Sequence, residues 1–482
     1  MRTAFIIPLL ITLAFPADVA ADSPQVDERI ARVEAGLLRP ILLKGESRVT
    51  MSLQDRMGHY QVPGISIAVL DGGVLAWARS WGVVHEGKPG AVTRETLFQA
   101  GSISKMVAAM LTLRLASQGR VGVDDPVNTR LKSWTLPASD RGGPHAVTIR
   151  HLLTHSAGLT PVAYEGVAPA SRVPATLELL QGKGAPGVAA VARVEAPGRR
   201  FSYSNSGYVV LEQLLAGVSG QSFDELARRE LFAPLRMTGA SFAPLLPPPL
   251  FERAAWGHEE RKPVPSKGLV VPAAVGGLWT TPSDLARLLA AFFASYRVGT
   301  NGLIKPALAR EAMRAQVGSQ GLCGAVEGSG SALRLSQAGA MPGFNAVLVG
   351  YPELGRGAVV MINAGGRSGG LARELLRAVA AEYDWPGYLV EYEAAEVRSG
   401  AWGEVAGQYE FDNPAFPKIA VTVKDGRLYW VDRPMQPVVG GLFVVPAAGI
   451  EVEFVRDTEG TVVGADFREP GMRKIRIRRT GM

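Results

Sequence analysis

Ser102 and Lys105 are the residues whose types and spacing most directly suggest chemistry. They stand in the run Gly-Ser-Ile-Ser-Lys at 101–105, which opens a long apolar stretch. Residues three positions apart on a helix share a face, so both side chains would point into the same space. A serine hydroxyl is a weak nucleophile until a base takes its proton. A lysine with a lowered pKa can be that base, so the pair predicts a nucleophilic serine.

A second polar cluster, Tyr203-Ser204-Asn205, follows further along the chain. A phenol beside a lysine cation ionises more easily, because opposite charge favours the charged form. Tyr203 could therefore accept the proton of Ser102 and return it to a leaving group. Tyr203 taken alone would be an ordinary aromatic residue in a turn. The Ser102–Lys105 pair upstream favours the catalytic interpretation.

Two other motifs compete with this site. The run Gly-Arg-Ser-Gly-Gly at 366–370 matches Gly-x-Ser-x-Gly, but no histidine follows Ser368 to complete a triad. A glycine-rich turn explains it instead. His151 and His155 are four residues apart, yet no glutamate stands between them as in His-Glu-x-x-His, so we interpret both as structural histidines. We expect no metal and no cofactor.

The single cysteine, Cys323, excludes an intramolecular disulfide and any metal site built on several thiolates. Its neighbours in Gly-Leu-Cys-Gly are small and apolar, which is typical of a buried and inert thiol.

The bulk composition indicates a globular protein of two or three domains, with 482 residues, 47% hydrophobic and 20% charged. The net charge is +7, but basic residues are scattered except in 473–479, where they alternate with apolar ones as on a half-buried strand. No nucleic-acid partner is therefore expected.

The N-terminus resembles a secretory signal. Arg2 precedes an apolar run over 4–15, and Val-Ala-Ala at 19–21 forms a small-residue cleavage site. We predict a signal peptide over 1–21, cleavage near Ala21, and a periplasmic or secreted protein. No later stretch of about 20 apolar residues is found, so no stable membrane insertion is expected.

The order of predicted elements favours an α+β fold. Apolar runs at 65–70 and 74–81 flank Asp71-Gly72-Gly73 as a hairpin, and further strands return near 333–363. Helices fill the span between, which predicts an antiparallel sheet flanked by helices with a helical insert. From residue 396, short strands alternate with turns. We predict a domain over 22–390 and a small antiparallel β-barrel or sandwich over 396–482. Its aromatic residues are expected to fill its core rather than line a ligand cavity, namely Tyr409, Phe411, Phe416 and Trp430.

These motifs together resemble the serine β-lactamase/penicillin-binding protein superfamily, nearest to class C β-lactamases, family VIII carboxylesterases and D-amino-acid peptidases. Besides Ser-x-x-Lys and Tyr-x-Asn, the resemblance covers Val147–Leu159, Asp124–Val127 and Gly276–Leu285. It extends over roughly residues 50–385 and implies a β-lactamase/transpeptidase-like fold. The C-terminal domain more distantly resembles a lipocalin-like β domain.

The resemblance implies a role for each site residue. Ser102 would be the acylated nucleophile, Lys105 and Tyr203 would together act as the general base, and Asn205 would orient Lys105 and the substrate amide. The family's Lys-Thr-Gly or His-x-Gly motif corresponds here to a run that begins at Gln337. Glutamine carries no charge, so it would hold a substrate carboxylate less well.

The remaining predicted site residues supply backbone N–H donors, and Arg334 is the cation nearest to Gln337 in sequence. The N–H groups of Ser102 and Ala340, beside Gly339, would form the oxyanion hole. Arg334 could not replace a cation at position 337, because three residues along a strand it faces the other side.

We therefore expect a secreted serine hydrolase whose substrate is a small ester, amide or peptide. A carboxylesterase-type activity is the favoured one. A D-amino-acid peptidase, a β-lactamase and a slowly deacylating penicillin-binding protein stay open as alternatives, since a fold does not fix a function. The oligomeric state is open as well.

Overall fold

The computed structural model describes residues 23–138, 145–164, 166–184, 188–297, 302–396, 402–411, 417–469 and 474–481. The predicted signal peptide and Phe416 lie outside these ranges. The chain divides into two compact units, one formed by residues up to Asp27 with Met57–Ala372 and the other by Glu28–Arg56 with Arg373–Met482. Across the described residues, no helix is both long enough and apolar enough to cross a membrane.

The helices and strands are numbered in chain order. The helices are α1 (Pro24–Ala35), α2 (Leu53–His59), α3 (Ile103–Ser117), α4 (Val127–Arg130), α5 (Ile149–Leu153), α6 (Thr176–Leu180), α7 (Asn205–Ser219), α8 (Phe223–Ala227), α9 (Pro248–Arg253), α10 (Ala273–Gly276), α11 (Pro282–Arg297), α12 (Pro306–Ala312) and α13 (Gly369–Glu382). The strands are β1 (Leu37–Leu38), β2 (Leu42–Leu43), β3 (Thr50–Met51), β4 (Gly64–Asp71), β5 (Val74–Gly82), β6 (Phe98–Gln99), β7 (His258–Glu259), β8 (Lys262–Pro263), β9 (Trp279–Thr280), β10 (Ala325–Glu327), β11 (Arg334–Met341), β12 (Phe344–Tyr351), β13 (Arg356–Ile362), β14 (Glu391–Tyr392), β15 (Gly407–Glu410), β16 (Ile419–Lys424), β17 (Arg427–Trp430), β18 (Arg433–Pro434), β19 (Gln436–Val438), β20 (Leu442–Val445), β21 (Ile450–Arg456), β22 (Val462–Arg468) and β23 (Ile475–Gly481).

The first unit is built on a six-stranded antiparallel sheet in the order β10-β11-β12-β13-β4-β5. The N-terminal hairpin pairs with β13, and the helices between these strands in sequence form the insert. The α+β prediction is therefore confirmed. Strands β4 and β13 are buried along almost their whole length, and α11 packs on both of them.

Helix α3 lies inside the first unit and carries almost no polar face. Its residues from Ile103 to Leu113 are buried, as expected for a helix that is apolar on all sides. It contacts α7, α10 and β11, so three separate parts of the chain meet at its N-terminus.

The second unit contains a nine-stranded antiparallel sheet in the order β18-β17-β16-β15-β23-β22-β21-β20-β19. Strands near both ends of this order, β16 with Val421 and β20 with Val445, contribute to one hydrophobic cluster, so the sheet curves around a shared core. Tyr409 and Trp430 belong to that core, and Phe411 packs against it, which confirms the core interpretation for these three. Ile477 is buried between exposed Arg476 and Arg478, as the alternating basic pattern predicts.

Candidate active site

Ser102 stands at the N-cap of α3, but its side chain makes no capping hydrogen bond. An N-cap serine normally accepts a hydrogen bond from a backbone N–H of the first turn. Here the hydroxyl instead receives two side-chain donors. Lys105 Nζ lies 3.3 Å from Ser102 Oγ, and the Tyr203 hydroxyl donates to the same oxygen at 2.8 Å. The structure thus brings together the three residues that the sequence singled out.

Lys105 is buried inside the site, with 2% of its surface exposed. Its ammonium group also donates to the Val275 carbonyl of α10 at 2.7 Å and lies 5.0 Å from the centre of the Tyr203 ring. Burial disfavours the charged form and lowers the pKa of Lys105 to about 7. A lysine with this pKa is partly neutral at physiological pH and can accept a proton from Ser102.

Tyr203 is fixed just before α7, because Ser204 caps that helix by accepting from the Gly207 N–H at 3.0 Å. Tyr203 as a residue remains 45% exposed, while its hydroxyl reaches inward to Ser102. Desolvation raises the pKa of Tyr203, and the hydrogen bond with Ser102 offsets this only in part. The expectation that Tyr203 ionises more easily beside Lys105 is therefore wrong in direction, and Lys105 is the group that titrates near neutrality.

His155 supports Tyr203, a contact that the sequence did not indicate. Its Nδ1 accepts from the Ser204 N–H at 3.0 Å, and its ring stacks on that of Tyr203 with 4.5 Å between centroids. Its backbone is left-handed, at φ 55°. The histidine is structural, as expected, but what it holds in place is the loop that carries Tyr203.

We expect His155→Ala to lower kcat about 10- to 100-fold, because Tyr203 loses both its stacking partner and the anchor of its loop. His155→Asn should retain more activity, since asparagine tolerates a left-handed backbone and offers an acceptor for Ser204. Steady-state kinetics on folded variants would measure this. Equal kcat in His155→Ala and the wild type would contradict the role.

Asn205 begins α7 beside Tyr203, but no hydrogen bond joins its amide to Lys105 among the described residues. Its Nδ2 instead donates to the Val162 carbonyl at 3.3 Å. Among the described residues, Lys105 Nζ donates to Ser102 and to the Val275 carbonyl, and the role of Asn205 toward Lys105 and the substrate stays a prediction.

Gln337 lies on β11 against the nucleophile. Its Nε2 donates to the Ser102 carbonyl at 3.2 Å and to the Ala338 carbonyl at 3.2 Å. Strand β10 pairs with β11 only as far as Ser336, so the edge from Gln337 onward is left to face the start of α3. Arg334 pairs with Glu327 at 2.8 Å and does not substitute for a cation at position 337.

Two glycines allow β11 to approach the nucleophile closely. A Cβ on Gly339 would lie 2.0 Å from the Ala100 carbonyl oxygen and 3.0 Å from the Ser102 nitrogen. A Cβ on Gly101, whose φ is 52°, would lie 2.7 Å from the Ala340 nitrogen. The backbone nitrogens of Ser102 and Ala340 are thereby held beside each other, at the N-terminus of α3, where partial positive charge accumulates.

The competing motifs have structural explanations. Ser368 is buried, donates to the Ala364 carbonyl at 2.6 Å and contacts Asn345 Nδ2, so its hydroxyl is engaged in holding the turn. His151 Nδ1 caps α5 by accepting from the Thr148 N–H at 3.1 Å. Cys323 is buried, and burial raises the pKa of its thiol, as expected for an inert cysteine.

Residues 51–382 match the family model described as Beta-lactamase. Among curated proteins, a β-lactamase of Escherichia coli K12 is 28% identical over 228 residues, which is 47% of this chain and 55% of the relative. Penicillin-binding protein 4 of Amycolatopsis lactamdurans is 31% identical over 176 residues, covering 36% of this chain and 44% of the relative. The chain thus spans about half the length of these curated relatives.

Solved structures share the fold at low identity. The octameric penicillin-binding protein homologue from Pyrococcus abyssi has a TM-score of 0.56 and 20% identity, covering 88% of this chain and 98% of its own. EstCE1, a hydrolase with promiscuous acyltransferase activity, has a TM-score of 0.56 and 20% identity, covering 68% of this chain and 98% of its own. The β-lactamase/transpeptidase-like fold is confirmed.

Proposed function

Because this chain belongs to the β-lactamase family, we propose that it is a serine hydrolase of carboxylesterase type that acts through an acyl-enzyme on Ser102. The observation that carries the proposal is the double contact on Ser102 Oγ, from Lys105 Nζ at 3.3 Å and from the Tyr203 hydroxyl at 2.8 Å. A buried amine with a pKa of about 7 is suited to take the serine proton.

The reaction has two halves. Neutral Lys105 accepts the proton as Ser102 Oγ attacks the carbonyl carbon, and the oxyanion forms against the N–H groups of Ser102 and Ala340. The protonated site, through Lys105 or the Tyr203 hydroxyl, returns the proton to the leaving alkoxide, which departs as an alcohol. Water then attacks the acyl-enzyme by the reverse path, releasing the acid and restoring Ser102.

A neutral substrate is favoured by the surroundings of Gln337. Its amide is hydrogen-bonded to backbone carbonyls, and nearby Arg334 is paired with Glu327. A substrate carboxylate at this edge would meet no free cation among these residues, and neutral hydrogen bonds are roughly half as strong as charge-assisted ones. Esters without a carboxylate avoid that loss.

A substrate panel tests the proposal. We expect kcat/KM for p-nitrophenyl butyrate to exceed that for nitrocefin and for a peptide ending in D-Ala-D-Ala by at least about 100-fold, which corresponds to about 2.7 kcal/mol. Faster turnover of the peptide or of nitrocefin would reassign the enzyme as a peptidase or β-lactamase. A stable penicillin adduct on Ser102 by intact-mass spectrometry, without ester turnover, would indicate a penicillin-binding protein.

Gln337→His should change the substrate preference rather than the chemistry. A partly protonated imidazole adds a charge-assisted donor for a carboxylate, so kcat/KM for the D-Ala-D-Ala peptide or nitrocefin should rise about 10-fold. The rate with p-nitrophenyl butyrate, which carries no carboxylate, serves as the internal control and should stay within about threefold. An unchanged ratio between the two substrate classes would show that position 337 does not select for charge.

Secretion belongs to the same proposal, with cleavage near Ala21 releasing a periplasmic or extracellular enzyme. The separate domain over 396–482 also stays a prediction. N-terminal sequencing of the protein recovered from the periplasm and from the medium would test the predicted secretion and the cleavage near Ala21.

A further inference from the structure

A cavity of about 750 Å³ lies in the first unit beside the site, and it is lined mainly by apolar side chains. Val162, Leu179, Phe242 and Val271 contribute to its wall. Ser102, Lys105, Tyr203 and Gln337 are not among the described residues that line it. A volume of this size is within the range that small-molecule sites occupy in proteins.

Two polar groups in the wall have hydrogen-bonding capacity left over. Glu212 of α7 is buried and accepts from Thr176 Oγ1 at 2.8 Å and from the Ala274 N–H at 2.9 Å. The Ala273 N–H is a third donor to this carboxylate, which has about four acceptor positions, so these bonds do not fill it. Burial raises the pKa of Glu212, which the surrounding donors partly offset.

Tyr164 is the second polar group of the wall. Its enclosed hydroxyl makes no hydrogen bond of good geometry among the residues that the structure describes, although the Ser206 hydroxyl is close enough for a weak one. Burial raises its pKa to about 12, with a smaller opposing effect from Ser206, whose own hydroxyl donates to the Thr160 carbonyl at 2.6 Å. An enclosed hydroxyl with only a weak partner is costly, and a bound ligand with a polar group would relieve that cost.

The cavity wall adjoins the turn whose backbone positions Lys105. Glu212 holds the N–H of Ala274, and the next residue, Val275, offers the carbonyl that accepts from Lys105 Nζ at 2.7 Å. Pro272 and Ala273, which precede them, line the cavity. A molecule in the cavity would therefore press on the turn that positions the lysine.

We propose that this cavity binds a small, uncharged apolar molecule carrying one O–H or N–H group, and that its occupation alters catalysis at Ser102 through Glu212, Ala274 and Val275. The apolar wall takes the body of the molecule, and Glu212 and Tyr164 take its polar group. An anionic ligand is disfavoured because Glu212 is itself acidic.

Fluorescence titration with N-phenyl-1-naphthylamine, a neutral probe with two apolar ring systems and one N–H, tests the binding. We expect saturable one-to-one binding when the probe is excited at wavelengths longer than those that tryptophan absorbs. Val173→Trp, which fills the cavity wall, should weaken it at least 10-fold. Val194→Trp is the matched control, since both valines are solvent-exposed, 36% and 44%, and only Val173 lines the cavity. Equal binding by both variants, or no saturable binding to the wild type, would overturn the proposal.

The coupling is tested with the same probe and p-nitrophenyl acetate. We expect saturating probe to change kcat at least twofold with KM within twofold, and Val173→Trp not to respond. A rise in KM with unchanged kcat would place the probe at the Ser102 centre and overturn a separate site. No change in either constant would overturn the coupling. Binding to Ser102→Ala should match the wild type, so the titration stands even if the protein proves not to be an esterase.

Discussion

Ser102→Ala is expected to lower kcat/KM for p-nitrophenyl butyrate by about 10⁴-fold, because no other hydroxyl occupies the position that Lys105 and Tyr203 both contact. Alanine keeps the start of α3, since the Ser102 side chain makes no capping hydrogen bond there. Circular dichroism and the melting temperature should therefore stay close to the wild type. A residual rate within about 10-fold of the wild type would place the nucleophile elsewhere.

Ser368→Ala is the matched control for this experiment. Ser368 is the serine of the Gly-x-Ser-x-Gly run, and its hydroxyl is bound to the Ala364 carbonyl and Asn345. Its loss should cost about 1 kcal/mol of stability and leave kcat within about threefold when measured well below the melting temperature. Loss of activity in Ser368→Ala with retention in Ser102→Ala would reverse the assignment.

Lys105→Met is expected to lower kcat about 10²- to 10⁴-fold, the usual contribution of a positioned base. In the wild type, kcat/KM for a neutral ester should rise with pH through about 7, because only the neutral amine can accept the serine proton. The variant should lose this rise. A midpoint well above pH 9 in the wild type would instead indicate Tyr203, whose pKa is raised.

The same variant should be more stable at neutral pH. An unfolded lysine has a pKa of about 10.4, so between about pH 7 and pH 10.4 the unfolded chain binds more protons than the folded one. The destabilisation by Lys105 is thus fully present below about pH 7 and is removed as the pH rises to about 10.4. After the loss of two hydrogen bonds, we expect Lys105→Met to raise the free energy of unfolding at pH 7 by about 2 kcal/mol, and to lose the whole of that advantage at pH 10. Denaturant titration at both pH values would measure this, and a less stable variant at pH 7 would contradict it.

The sequence determined what local patterns can encode. The hairpin around Asp71-Gly72-Gly73, the buried helix after Ser102 and the alternating strand at 475–481 were all predictable, because apolar periodicity and turn residues act over a few positions. Ser102 and Lys105 share a face for the same reason, since three residues of helix bring them together. The distance along the chain to Tyr203 gave no geometry, so Tyr203 was linked to Ser102 by its chemistry beside the Ser102–Lys105 pair and by the resemblance to a family.

Tertiary structure decided the electrostatics and the positioning of the site. The pKa of Lys105 is set by how completely the surrounding chain buries it, and the pKa of Tyr203 moves the opposite way for the same cause. His155 and Val275 come from segments far from Ser102 in sequence, and neither residue type by itself predicts the contact that it makes. Hydrogen bonds to backbone atoms and the loss of solvent depend on which segments meet in space, which no pattern of neighbouring residues records.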